Sequence, residues 1–105
     1  MNISILTPDK EIFKGAATSI KVPGTLGQFQ ILKNHAPIVS SLEIGKLEVV
    51  TGEGTYAYYD EESQSLKSAD KPGRTIIFEI TGGFVEVLKN EVSVLVQGFN
   101  SGKKS

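Results

Sequence analysis

Apolar residues in this chain recur at every second position, in short runs cut by glycine and proline, and that period constrains the fold more than any other feature. Ile3 and Ile5 alternate with Asn2 and Ser4, Leu47 and Val49 with Lys46 and Glu48, and Ile76, Phe78 and Ile80 repeat the pattern before Val92, Val94 and Val96 close it. Successive side chains on an extended strand point to opposite faces, so each run collects its apolar residues on one side. Helical spacing never persists for more than about two turns without a proline or glycine. The expected fold is therefore all-β, a two-sheet β-sandwich of about nine to ten short strands.

The chain divides accordingly. A first strand around Ile3 and Ile5 ends at Thr7-Pro8-Asp9, and Glu11 to Val22 reads as a second strand region with a bulge or kink at Gly15. Ile38 to Leu42 is apolar and leads through Glu43 to Gly45 into Leu47 and Val49, and Gly52-Glu53-Gly54 reverses the chain into Tyr56, Tyr58 and Tyr59. Asp60 to Arg74 is polar and reads as the mobile region, with Leu66 able to anchor a short strand. The expected domain covers residues 1–98, and 99–105 reads as a flexible tail. Phe84 and Leu88 oppose Val85 and Val87, so one strand is apolar on both faces. A strand wet on one side does not need that, and part of the outer surface is expected to lie under a partner.

Composition removes several function classes. A chain of 105 residues is one domain's worth, enough for one modest core. With 22% charged residues and a net charge of -1, no polyanion-binding surface is indicated, so nucleic acid is not expected as a partner. The absence of cysteine excludes disulfides, thiolate metal sites and cysteine nucleophiles. No stretch approaches the ~20 apolar residues that span a bilayer as a helix, so direct membrane insertion is not expected.

The stretch from Ile20 to Ile38 holds most of the functional information. Ile20 and Val22 alternate with Lys21, Pro23-Gly24 and Gly27 impose a reversal, and Phe29 and Ile31 alternate with Gln28 and Gln30. Leu32 to Pro37 has no periodicity and reads as an ordered loop, with Pro37 biasing Ala36 towards extended backbone. His35, the single histidine, has three readings: an interface loop residue, a structural residue, or a general base near Ser40 or Ser41. Nothing in the spacing marks a nucleophile. Gly52 to Ala57 fits a loose dinucleotide fingerprint, but the tyrosines that follow continue as a strand where phosphate binding needs a helix amino terminus. Asp60, Glu61 and Glu62 read as a solvated polar turn.

The G-x-x-G turn, apolar strand and H-A-P of this stretch resemble the amino-terminal half of the epsilon subunit of F-type ATP synthases. Ile80 to Val96, with its glycine pair and two apolar strands, is similar to the same family, so the resemblance covers about the first 98 residues. Gln30 stands where the family usually has a small residue, and Lys33 where proline is common. The resemblance implies a non-catalytic β-sandwich that binds the gamma subunit and the ring of c subunits, coupling proton or sodium flow to ATP synthesis. It also implies a peripheral position on the cytoplasmic face of a bacterial inner membrane, and no cofactor. By the same resemblance the ring-contacting loop maps onto Leu26, Gly27 and Gln28, and the H-A-P loop onto His35, Ala36 and Pro37. The next turn, around Ser41 and Leu42, is expected on the same side of the domain.

A second reading is a small carbohydrate-binding module that uses Tyr56, Tyr58 and Tyr59 as an exposed platform; a hydrolase, the third, needs carboxylates facing each other across a cleft. The family usually continues into a carboxy-terminal helical hairpin associated with inhibition and, in some members, ATP binding. This sequence shows no such hairpin, so no nucleotide is expected. The eight residues Gly98 to Ser105 span less than about 30 Å even fully extended, too short to reach a distant catalytic head. The expected outcome is no ATP binding by the chain, and unchanged ATP hydrolysis when a chain ending at Gly98 is reconstituted with its cognate enzyme. ATP binding, or a large rise in hydrolysis, contradicts it.

Overall fold

The computed structural model describes residues 1–101 and contains eleven strands and no helix among them. β1 is Asn2–Leu6, β2 Glu11–Gly24, β3 Gly27–Leu32, β4 Ile38–Leu42, β5 Gly45–Thr51 and β6 Tyr56–Asp60. β7 is Ser65–Ala69, β8 Thr75–Ile80, β9 Gly83–Leu88, β10 Glu91–Val96 and β11 Phe99–Ser101. The all-β sandwich expected from the alternation is present, with one or two more strands than the sequence showed.

The 14-residue β2 belongs to both sheets. Its first half pairs with β1 on one side and β6 on the other, and its second half with β3 and β5. One sheet therefore runs β7-β6-β2-β1-β10-β9-β4, and the other β3-β2-β5-β8-β11. A single antiparallel bridge from Gly24 to Leu42 joins the tip of β2 to β4 and closes the first sheet upon itself. β1 lies parallel to β10, with Ile3 opposite Val92 and Ile5 opposite Val94.

The irregularities of β2 are not at Gly15. The register slips at Ile12 against β1 and at Thr18 against β5. A bulge lets consecutive residues face the same side, and Ile12-Phe13 and Ser19-Ile20 are accordingly buried as adjacent pairs. Gly15 stays in register opposite Ile3, and its role is close approach: a Cβ built there collides with the Cβ and Cα of Tyr56 on β6. That approach stacks Phe13 on Tyr56 at 5.9 Å between ring centroids. The core holds both rings with Phe78, Ile5, Ile20, Leu47, Val85 and Val94.

Two segments read as mobile or flexible are built into the sandwich. Within Asp60 to Arg74, β7 pairs fully with β6, and the buried Thr51 fastens the end of the segment. Its hydroxyl donates to the Lys71 carbonyl at 2.7 Å and accepts from the Arg74 amide at 2.9 Å. The tail boundary also moves: Phe99–Ser101 form β11 against β8, and the Phe99 ring meets Tyr59 edge-on at 5.7 Å. Lys10 Nζ lies 4.4 Å from the centre of the Tyr59 ring, completing a small cluster over this edge. The sequence signal was an isolated Phe99 without alternation around it. A chain ending at Gly98 thus loses a strand, and one ending at Ser101 is the cleaner truncation. Residues 102–105 of the expected tail lie outside the described residues.

Gly15→Ala is expected to destabilise by about 1–3 kcal/mol, because neither Tyr56 nor the β2 backbone can withdraw without breaking the β2–β6 ladder. For a domain of this size each kcal/mol corresponds to about 4–8 °C in Tm. Thermal unfolding followed by circular dichroism measures it, and a shift under about 2 °C contradicts the packing account.

Candidate interaction surface

β9 shows why one sheet has two apolar faces. Val85 and Val87 point into the core, and Phe84 and Leu88 are 56% and 51% exposed on the outside. Register extends the row. Phe84 stands opposite Leu95 of β10 on one side and Ser41 of β4 on the other, and Leu95 stands opposite Leu6 of β1. Leu6, Leu95, Phe84 and Ser41 therefore cross four strands on one outer face, with Leu95 52% exposed and Val39 nearby on β4 73% exposed. Exposed apolar area that continues across neighbouring strands marks a contact surface, unlike a scattered surface leucine.

Two loops flank this face at opposite ends. At one end, β2 and β3 are joined by Thr25-Leu26 alone, a tighter turn than the sequence indicated, with Gly24 paired to Gly27. Gly27 has φ +123°, a conformation that few residues except glycine adopt. Leu26 sits at the tip, fully exposed, with the exposed Gln28 beside it. The tip is tied to β4: the Thr25 amide donates to the Ser41 carbonyl at 3.2 Å and the Glu43 amide to the Pro23 carbonyl at 2.8 Å. Ile44, 77% exposed, adds a second apolar group at this end.

His35-Ala36-Pro37 occupies the other end, the length of β4 away, about 15 Å at ~3.3 Å per residue. The His35 amide donates to the Leu32 carbonyl at 3.1 Å, and Nδ1 lies 2.7 Å from the Ala36 carbonyl. A carbonyl only accepts, so in the neutral ring Nδ1 carries the proton and Nε2 remains the acceptor. Pro37, Val39 and Leu88 line a hollow of about 260 Å³ beside this loop.

The expected site residues are thus split between two ends of one face. Leu26, Gly27, Gln28 and Ser41 cluster at the hairpin end, and His35, Ala36 and Pro37 at the other, so the single-sided grouping expected from the sequence is corrected by the direction of β3 and β4. Leu42 is also corrected as a contact: it is 5% exposed, its side chain belongs to the core, and its contribution is the backbone bridge to Gly24. Alternation along β4 dictates this, since Ser41 faces out and Leu42 in. Val39, Phe84, Leu88 and Leu95 were missing from the expected site; the sequence signal was the doubly apolar β9, already visible in Phe84 and Leu88.

Nothing here favours chemistry. Tyr56 and Tyr58 are 1% and 9% exposed, so the aromatic platform of the carbohydrate-binding reading does not exist. Among the described residues no group of three or more His, Asp or Glu side chains is placed to hold a metal. Charge pairing lies elsewhere: Lys67 Nζ sits 2.9 Å from Asp60 on the β6–β7 hairpin, and that hydrogen bond lowers the Asp60 pKa and raises that of Lys67.

Residues 1–60 match the family model described as the ATP synthase Delta/Epsilon chain, beta-sandwich domain. The chain belongs to this family. An ATP synthase epsilon chain from Leptospira borgpetersenii is 39% identical over 95 residues, spanning 90% of this chain and 59% of that one. One from Chlorobium limicola is 37% identical over 95 residues, spanning 90% of this chain and 86% of that one. The Salinibacter ruber epsilon chain is likewise covered over only 58% of its length, so the chain spans somewhat under three-fifths of these longer relatives. The same fold occurs in a chain of the Euglena gracilis mitochondrial ATP synthase OSCP/F1/c-ring structure, with TM-score 0.67, 21% identity and coverage of 94% and 51% of the two chains. A chain of the Tetrahymena thermophila mitochondrial ATP synthase central stalk/c-ring structure matches with TM-score 0.64 and 19% identity, over 96% and 66% of the two chains.

Three substitutions separate surface from scaffold in this delta/epsilon-type domain. Leu26→Ser is expected to change stability by less than about 0.5 kcal/mol, Gly27→Val to cost about 1 kcal/mol or more through its positive φ, and Leu42→Ser about 2–4 kcal/mol through its burial. Chemical denaturation measures all three, and a Leu26 variant as destabilised as the Leu42 variant contradicts the assignment.

Proposed function

We propose that this chain is a non-catalytic subunit of the central stalk of a rotary ATP synthase, binding the gamma subunit and the c-ring and helping to couple proton or sodium translocation to ATP synthesis. One observation carries the reading: the apolar outer row of Leu6, Leu95 and Phe84 leads to Ser41, whose carbonyl accepts from the Thr25 amide of the Leu26 hairpin. Family membership supports this choice of partners, because relatives are named ATP synthase epsilon chain and the same fold occurs in a central stalk and c-ring complex. An apolar sheet face of this kind suits a broad, permanent contact, which we assign to gamma. The narrow hairpin carrying Leu26 suits insertion between the polar loops of a ring, with His35-Ala36-Pro37 as the second contact. In this arrangement the domain is a rigid clamp that turns with the stalk, peripheral to the membrane on the cytoplasmic face of a bacterial cell.

No step in this role requires nucleotide, metal or a reacting side chain from this chain. What it requires is that torque not shear the contact, which a sandwich whose two sheets share a strand provides.

Phe84→Ser and Leu26→Ser are each expected to weaken association with the purified gamma subunit and c-ring at least tenfold, the loss of about 1.4 kcal/mol typical of an exposed contact residue that becomes buried. Lys67→Ser, on the β7 hairpin, is expected to leave association unchanged. Equilibrium binding measures all three, and retention of affinity by both Phe84 and Leu26 variants overturns the reading.

A further inference from the structure

The loop that presents His35 is held by a partner 56 residues away in sequence. Asn34 and Asn90 both adopt left-handed backbone, at φ 65° and 63°, and face each other across the end of the domain. The Asn34 amide donates to Asn90 Oδ1 at 2.6 Å, and Asn90 Nδ2 donates to Asn34 Oδ1 at 3.1 Å. The orientation of the Asn90 amide follows from the chemistry, since a backbone N–H needs an acceptor and only Oδ1 is one. Asn90 also forms the two-residue turn between β9 and β10 with Lys89, which has φ 49°. Two non-glycine residues in left-handed conformation cost backbone energy in a turn where glycine is favoured, and asparagine tolerates that conformation best. A glycine at position 90 relieves the backbone but cannot make either bond.

We infer that Asn34 and Asn90 are positioning residues that clamp the His35-Ala36-Pro37 loop to the β9–β10 turn and hold it ready for its partner. This rests on the proposed role of that loop as a contact. Among the described residues no ladder pairing supports the start of the loop: after the His35 amide bond to Leu32 the chain runs unpaired until Ile38 meets Val87. Without the clamp, residues 33–37 hang from one local turn, and the partner must order them at its own entropic cost. The clamp also makes the Lys89-Asn90 turn part of the same end surface as His35.

The test uses the full chain in three variants. Asn90→Gly removes both bonds and suits the turn, Asn34→Asp keeps both acceptor and backbone donor, and His35→Ala removes the presented ring alone. Amide hydrogen exchange at residues 34–36 and equilibrium binding to the purified gamma subunit and c-ring are read on each, with Tm as the control for folding. Asn90→Gly is expected to speed exchange at Asn34 and His35 at least fivefold and weaken binding about fivefold to tenfold, the scale of one or two exposed hydrogen bonds, with Tm unchanged or raised. Asn34→Asp is expected to keep exchange near that of the unaltered chain. Unchanged exchange in Asn90→Gly overturns the clamp. Faster exchange with unchanged binding, while His35→Ala binds weakly, overturns the positioning role alone; unchanged binding in both variants overturns the contact role of the loop itself.

Discussion

The structure depends on one strand satisfying hydrogen-bonding partners in both sheets. β2 has a strand on each side at Phe13 and Lys14 and again from Ser19 to Lys21, and its two bulges turn it so that its first half completes one layer and its second half the other. A strand of that length would otherwise carry an apolar face past the edge of either sheet. By passing between them, it keeps Ile12, Phe13, Ile20 and Val22 fully buried along its whole course. Gly15 is the condition for this, because the β6 strand bearing Tyr56 approaches closer there than any side chain permits.

Function follows from the same strand. Its tip is Gly24, bridged to Leu42, and the Leu26 hairpin projects directly from it. The proposed contact loop is therefore an extension of the most constrained element in the fold, and a force applied at Leu26 is transmitted into both sheets. The apolar row of Leu6, Leu95 and Phe84 starts on the strands that β2 aligns and ends at Ser41, whose carbonyl holds the hairpin. The stalk role proposed for this chain needs surfaces that stay fixed relative to one another, and here they share a backbone network.

Much of this was legible in the sequence, and the losses have physical reasons. Alternation is a local property, so the strands around Ile3, Ile76 and Val92 were plain, as was the turn forced by Gly24 and Gly27. The bulges were not, because a bulge at Ile12 or Thr18 is set by register against β1 or β5 rather than by local alternation, and Gly15 was the more visible irregularity. β7 and β11 carry little alternation; their strand character comes from pairing with β6 and β8. The candidate contacts were found by resemblance at Leu26 and His35, yet their separation to opposite ends depends on the course of β3 and β4 through space. Leu42 was misassigned because neighbouring residues on a strand face opposite ways. The outer row was half visible in Phe84 and Leu88, and became a surface only once register brought Leu95 and Leu6 beside them. Asn34 and Asn90 gave no sequence signal, since their relation spans 56 positions.

The central claim is that this domain meets its partners through the outer face of β4, β9 and β10 and the two loops at its ends. Hydrogen–deuterium exchange of the chain, alone and bound to the gamma subunit and c-ring, tests it most directly. The account predicts added protection at residues 25–28, 34–37 and 84–95, and unchanged exchange across the β6–β7 hairpin. Protection confined to residues 56–69, with the outer face and both loops exchanging as in the free chain, would contradict it.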